Sequence, residues 1–193
     1  NQIMQTDGAG NVSWINTTTI APVGWKIAGN AGTIAGSDYI GTNDPQDFDF
    51  RTNSILKLRL TQQGQLAFLN SGGSVFVGAG AGDVDDLTNN QNTFIGTSSG
   101  QLTTIGNLNT AIGHSSLIAN VDGLGNTAVG RSALTANVSG SNNTSIGRLS
   151  DVSVGTLTNA TAVGFSATVN ASNKVRLGSA TVTVVEGQVP YTN

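Results

Sequence analysis

The chain has no cysteine, which rules out disulfides and thiolate metal sites. Charge is scarce as well. Only 10% of residues are Asp, Glu, Lys or Arg, and 11 acidic against 8 basic side chains leave a net charge of −3. No basic run occurs, so the electrostatic footprint of a nucleic-acid partner is missing and none is expected. Aromatic residues make up 5% of the chain, and no apolar run reaches the roughly 18 residues that a membrane-spanning helix needs. The chain opens at Asn1 without methionine or a signal-like segment, which reads as a fragment or a processed product.

Glycine, by contrast, is abundant at 26 residues, and its placement is periodic. Gly96, Gly113, Gly130, Gly147 and Gly164 recur with a constant 17-residue period. Each closes a short phrase such as Asn109-Thr110-Ala111-Ile112-Gly113 or Asn126-Thr127-Ala128-Val129-Gly130. A fixed period without helical patterning predicts an all-β fold with a parallel β-roll or solenoid, one coil per repeat. Ser74-Val75-Phe76-Val77-Gly78 resembles the phrase and lies just over one period upstream, which extends the array by one coil at its start. A second glycine column, Gly106, Gly123 and Gly140, alternates with Leu117–Val121 and Leu134–Val138. This spacing predicts two short strands per coil joined by glycine turns. The last phrase closes at Gly178, short of a full period after Gly164, and reads as a shortened coil.

Three segments follow: an N-terminal β-module over 1–70, the repeat array over 71–178, and a C-terminal β-cap or junction over 179–193. In the first, Ile3-Met4-Gln5 and Val12-Ser13-Trp14 flank a turn-rich stretch and predict a hairpin. A second hairpin is predicted where Leu56, Leu58 and Leu60 alternate with Lys57 and Arg59, followed by Gln62-Gln63-Gly64 and Gln65–Leu69.

Alternation within each phrase separates two faces. One carries the Ile/Val column Ile95, Ile112, Val129, Ile146 and Val163, expected as the interior stack. The other reads Phe94, Ala111, Ala128, Ser145 and Ala162, small enough after the first coil for backbones to approach. So thin a coil buries little apolar surface at about 25 cal/mol per Å², whereas ordering its backbone costs on the order of 1–2 kcal/mol per residue. Association of three parallel chains along the small-residue column is therefore the expected remedy.

The phrases continuing into Gly113-His114-Ser115-Ser116 and Gly130-Arg131-Ser132-Ala133 resemble the head repeats of trimeric autotransporter adhesins. They are similar, too, to repeats of phage tail fibres, and the length of the period favours that branch. Residues 24–70 look similar to modules of Bacteroidetes surface fibres and those of their phages. Asn173–Gly178 and Val182–Val189 resemble the segment before the self-cleaving intramolecular chaperone of many tail fibres, which implies a boundary at or near Asn193. The resemblance implies an extracellular homotrimer on a bacterial surface, virion or injection-system fibre. It would hold out a face for a cell-surface glycan or protein receptor.

Chemical candidates are few. His114 is the only histidine and the only possible centre of a Ser-His-Asp triad. It shares a loop position with Arg131 and Arg148, and these three are read as displayed loop residues rather than as catalysts. Asp83, Asp85 and Asp86 follow a Gly-Ala-Gly-Ala-Gly string in a faint likeness to a calcium-binding solenoid repeat, but the string occurs once and reads as a solvated loop. No lysine follows it, so it is not a phosphate loop. The threonine column Thr93, Thr110, Thr127, Thr144 and Thr161 raises an ice-binding solenoid as the rival class. Against it, these threonines share a face with the Ile/Val column, which turns them inward or into an interface. The asparagine column Asn92, Asn109, Asn126 and Asn143 is expected to be a structural ladder. No enzyme activity, cofactor or metal is expected.

Overall fold

The computed structural model describes residues 2–6, 9–16 and 40–186. The readings that fall on 17–39 and at Asn193, including the chaperone boundary, lie outside the described residues. Among those described, the chain is all β, and no helix is long and apolar enough to cross a membrane. It divides into two compact units, Asn1–Phe48 and Asp49–Asn193.

The first unit contains β1 (Gln2–Thr6) and β2 (Val12–Asn16), paired antiparallel with Met4 opposite Trp14. This is the first predicted hairpin. Further on, β3 (Phe48–Thr52), β4 (Ile55–Leu60) and β5 (Leu66–Phe68) form a three-stranded sheet. Asn53 and Ser54 join β3 to β4 with φ of 50° and 61°, the left-handed pair that a two-residue hairpin turn requires. Strands β4 and β5 pair antiparallel, Leu58 opposite Phe68, as the second hairpin signal predicts. Across this sheet Arg59 donates from Nε to Asp49 Oδ1 (2.6 Å) and from Nη2 to Oδ2 (3.0 Å), and Arg51 adds a bond to the same carboxylate (2.8 Å).

The solenoid follows. Strands β6 (Val75–Val77), β7 (Thr93–Ile95), β8 (Thr110–Ile112), β9 (Thr127–Val129) and β10 (Thr144–Ile146) stack parallel in chain order. After β11 (Asp151–Val152) the stack resumes with β12 (Thr161–Val163), and after β13 (Thr168–Val169) it ends with β14 (Val175–Leu177). The register is uninterrupted: Val75, Thr93, Thr110, Thr127, Thr144, Thr161 and Val175 align across seven strands. Thus the array does begin one coil early, and the short last coil closes it.

The expected second strand per coil exists only late, where β11 and β13 pair in parallel. In earlier coils the same stretch is a run of turns, because Gly100, Leu117 and Leu134 take left-handed φ of 57°, 52° and 56° at the position where Asp151 and Thr168 begin β11 and β13 in extended conformation. Left-handed residues interrupt strand geometry, yet the turns still bond coil to coil: Leu117 N–H donates to Ala133 O (2.9 Å) and Val121 N–H to Val138 O (2.7 Å).

The expected facing of the strands is reversed. Phe94, Ala111, Ala128, Ser145 and Ala162 point inward and are buried, whereas Ile95, Ile112 and Ile146 are 38–43% exposed and Val129 and Val163 are half-buried. The Ile/Val column is thus the outer face of the sheet, and the small column lies inside a single chain and cannot be the interface between chains. Packing explains the reversal. The inner wall of the strand faces Leu117 and Leu134, fully buried from the turn side, and only Ala or Ser fits opposite them in so narrow a section. The remaining interior consists of the stacked rings of Phe76 and Phe94 (centroids 5.5 Å apart), Val152 and Val169, and alanines.

Buried asparagines tie the coils together. In each case one side-chain amide serves two orphan backbone groups. Asn109 Oδ1 accepts from Asn126 N–H (2.9 Å), and Asn109 Nδ2 donates to Gly123 O (2.9 Å). Asn126 repeats this with Asn143 N–H and Gly140 O, and Asn143 with Ala160 N–H and Leu157 O. A second, shorter ladder runs from Asn137 Nδ2 to Asn120 Oδ1 (2.9 Å). These amides supply the backbone with partners that water cannot supply inside the coil.

Candidate functional site

Two adjoining outward columns carry the candidate surface. The first is the outer face of the seven-stranded sheet. Its threonines, Thr93, Thr110, Thr127, Thr144 and Thr161, are half-buried and stand in line, one per coil. Beside them run Val77, Ile95, Ile112, Val129, Ile146, Val163 and Leu177, with Val77 at 42% and Leu177 at 46% exposure at the two ends. Parallel strands lie about 4.8 Å apart, so both ladders repeat at that interval. The outcome is a regular, uncharged, half-apolar face.

At the end of each strand the chain passes through Gly96, Gly113, Gly130, Gly147 or Gly164, with φ between 114° and 136°. A Cβ on Gly113 would lie 2.6 Å from Gly130 O, so the coils stack backbone on backbone here. The next residue forms the second column: Thr97, His114, Arg131, Arg148 and Phe165, all exposed. Backbone bonds hold it in register, since Ser132 N–H donates to His114 O (2.9 Å), Leu149 N–H to Arg131 O (3.1 Å) and Ser166 N–H to Arg148 O (3.0 Å). The guanidinium of Arg148 lies 4.7 Å from the Phe165 ring centroid. The sequence reading names His114, Arg131 and Arg148 and misses Phe165. The signal was available, because Phe165 follows Arg148 by one full period of the repeat.

The remaining candidates resolve into structural parts. Within reach of His114 Nδ1 is Oγ of its half-buried neighbour Ser115 (3.0 Å), and among the described residues no carboxylate is hydrogen-bonded to the ring. Asp85 accepts from Leu87 N–H, Asn90 Nδ2 and Asn92 Nδ2, so it closes the loop and tops the asparagine ladder. Asp86 accepts from the Thr88 hydroxyl and amide and from Asn90, and the Thr88 hydrogen bonds hold its carboxyl below the usual range. Among the described residues no three His, Cys, Asp or Glu side chains are grouped to hold a metal ion. Asp151 sits half-buried at β11, where it accepts from the Thr135 hydroxyl (2.8 Å) and from the Ala136 and Val152 amides. Burial raises its pKa against the pull of those bonds.

In comparisons with known proteins, no protein-family model, no curated protein and no solved structure matches this chain.

Proposed function

We propose that this chain is a segment of an extracellular adhesive fibre, working as a parallel homotrimer that carries a receptor-binding surface away from a bacterial cell, virion or injection-system particle. One observation carries the reading. Ile95, Ile112 and Ile146, with Val77 and Leu177, keep 38–46% of their surface exposed in a single unbroken ladder. Contiguous apolar stripes of this kind mark association surfaces. A second and a third copy laid along the same ladder would cover it, with the threonines alongside, and the flanking loop column would stay at the rim. Three copies of each loop would then act together, giving avidity to weak contacts. The periodic phrases and their resemblance to trimeric fibre repeats support the same assignment.

A rival reading has gained support. The threonine ladder faces outward rather than inward, which removes half of the objection to an ice-binding solenoid and leaves burial in an interface between copies as the other half. Native mass by light scattering separates the two. A particle of three 19.5 kDa chains supports the fibre. A single chain that shows thermal hysteresis on freezing overturns it in favour of ice binding.

A further inference from the structure

The column bordering the apolar face carries two of the array's four cationic side chains; the other two, Lys174 and Arg176, lie in the last coil and bond to Asn170 Oδ1 and Gly178 O. Arg131 and Arg148 stand on successive coils, with exposed His114 before them and exposed Phe165 after. Among the described residues the ion pairs involve Asp49 with Arg51 and Arg59; neither Arg131 nor Arg148 has a carboxylate within that range. The array's acidic residues, Asp83, Asp85, Asp86, Asp122 and Asp151, occupy other positions in the coil, and Asp85, Asp86 and Asp151 are already bonded within the fold. Two guanidinium groups without carboxylate partners, carried on coils about 4.8 Å apart, therefore face solvent on a chain of net charge −3.

Arg148 is also preorganised. Its position over Phe165 restricts a long side chain, so less freedom is lost when it binds. Phe165 remains 56% exposed with that guanidinium against it. In the adjacent column Ser115, Ser132 and Ser166 follow His114, Arg131 and Phe165, and Leu149 follows Arg148, all with left-handed φ of 52–59°. Because His114 Nδ1 is bonded to Ser115, Nε2 is the nitrogen left for a ligand.

We propose that His114, Arg131, Arg148 and Phe165, with the flanking serines, form a binding strip for saccharides bearing carboxylate or sulfate groups. Guanidinium forks match planar carboxylate and sulfate oxygens with paired hydrogen bonds. The exposed ring offers a stacking surface to the C–H face of a pyranose, and the serine hydroxyls suit its hydroxyl groups. Nucleic acid and anionic membrane fit less well, since both call for a broad basic field and this chain has a pI near 4.7. The inference rests on the fibre reading and names the ligand chemistry its rim would take.

The test is calorimetric titration of the whole chain with polygalacturonate, chondroitin sulfate and neutral dextran, for wild type, Arg131→Ala/Arg148→Ala and Phe165→Ala. Wild type should bind a charged polymer but not dextran. The double variant should lose at least about tenfold in affinity, the loss of one or two charge-assisted contacts, at an unchanged melting temperature. Phe165→Ala should weaken binding by a smaller factor. Equal affinity in the double variant, equal binding of dextran, or no binding of either charged polymer overturns the strip. Native mass on the same samples keeps the two ideas apart. A three-chain particle that ignores polyanions overturns the strip and leaves the fibre, whereas a single chain that binds through the arginines supports the strip and overturns the fibre.

Discussion

The ring of Phe94 occupies the space that a side chain at Gly100 would need: a Cβ there would lie 2.4 Å from the ring. One coil on, Ala111 takes the place of the phenylalanine and Leu117 that of the glycine, both fully buried. Bulk has moved from the strand wall to the turn wall at a constant cross-section. Phe94→Ala should therefore cost about 3–5 kcal/mol through the cavity it leaves. Gly100→Leu alone should cost about 1–3 kcal/mol or more from overpacking. The double variant should cost clearly less than both added together, because it rebuilds the section of the next coil. Its leucine would need left-handed φ, but Leu117 and Leu134 already accept 52° and 56°. Urea denaturation of the four proteins measures the coupling, and strict additivity would show that the two positions do not share a volume.

Asn126 predicts a second energetic centre. Its replacement by alanine leaves Asn143 N–H without its side-chain acceptor in a fully buried setting, whereas Gly140 O keeps a second donor in Asn137 Nδ2 (2.9 Å). That one orphan costs about 1–3 kcal/mol. Asn126→Asp should be worse at neutral pH, since it buries a charge and still cannot donate to Gly140. Asn143→Ala should cost at least as much as Asn126→Ala, because it removes bonds to Ala160 N–H, Leu157 O and Asn137 Oδ1. Thermal melts rank the three.

That ladder was legible in the sequence, as were the period, the early first coil and both hairpins. The facing of the strands was not. Alternation divides Ile112 from Ala111 but does not say which is inside, and a constant apolar column suggests the interior. Apolar residues also cover much of a protein surface, so the inference runs only one way. What decides the matter is the opposite wall, where Leu117 and Leu134 reach inward from left-handed turns. Leucine in that conformation is uncommon, and nothing in its identity announces it. The second strand of the early coils fails for the same reason.

Glycine positions separate by what lies beyond them. Gly113→Ala drives a Cβ to 2.6 Å from the Gly130 carbonyl, backbone that cannot yield, at φ of 136°. It should destabilise severely, or prevent folding of the array. Gly125 has φ of 66°, and its column otherwise holds Leu108, Asn142 and Asn159 at 51–58°. The neighbour a Cβ would meet there is the Asn142 side chain, which can turn aside. Gly125→Asn should therefore be near neutral, and by restricting the unfolded chain it can raise stability by about 0.4–1 kcal/mol. Circular dichroism melts distinguish the pair.

Two carboxylates should respond to acid in opposite directions. Arg59 and then Arg51 hold the Asp49 carboxyl down to about 2 from an ordinary 3.8. Its contribution is thus complete above about pH 4 and lost as pH falls toward 2. Burial raises the Asp151 pKa, so the folded chain favours its protonated form. That contribution is absent at neutral pH, grows as pH falls through the raised value and is complete below 3.8. Asp151→Asn removes this titration but also turns an NH2 toward a backbone or hydroxyl donor. The difference in melting temperature between variant and wild type should therefore shift in the variant's favour as pH rises from acid to neutral. Asp49→Asn should show its deficit at neutral pH and lose it only in stronger acid. Parallel pH–melting curves for wild type and each variant would refute these assignments.

The outward ladder makes the sharpest demand. Ile112→Lys with Ile146→Glu places two opposite charges on the face that is 40–43% exposed at those positions. In a single coil stack neither change touches the interior, because Ala111, Ser145 and the asparagine ladder fill it. The double variant should keep its β-sheet circular dichroism. If the fibre proposal holds, its mass should fall from three chains to one, because charged side chains cannot be buried against their own copies without a large desolvation cost. Loss of the folded signal in a chain that was monomeric to begin with would mean instead that Ile112 and Ile146 face inward. A folded variant that still runs as a trimer would move the interface to another side of the coil, and light scattering with circular dichroism on one sample separates the three results.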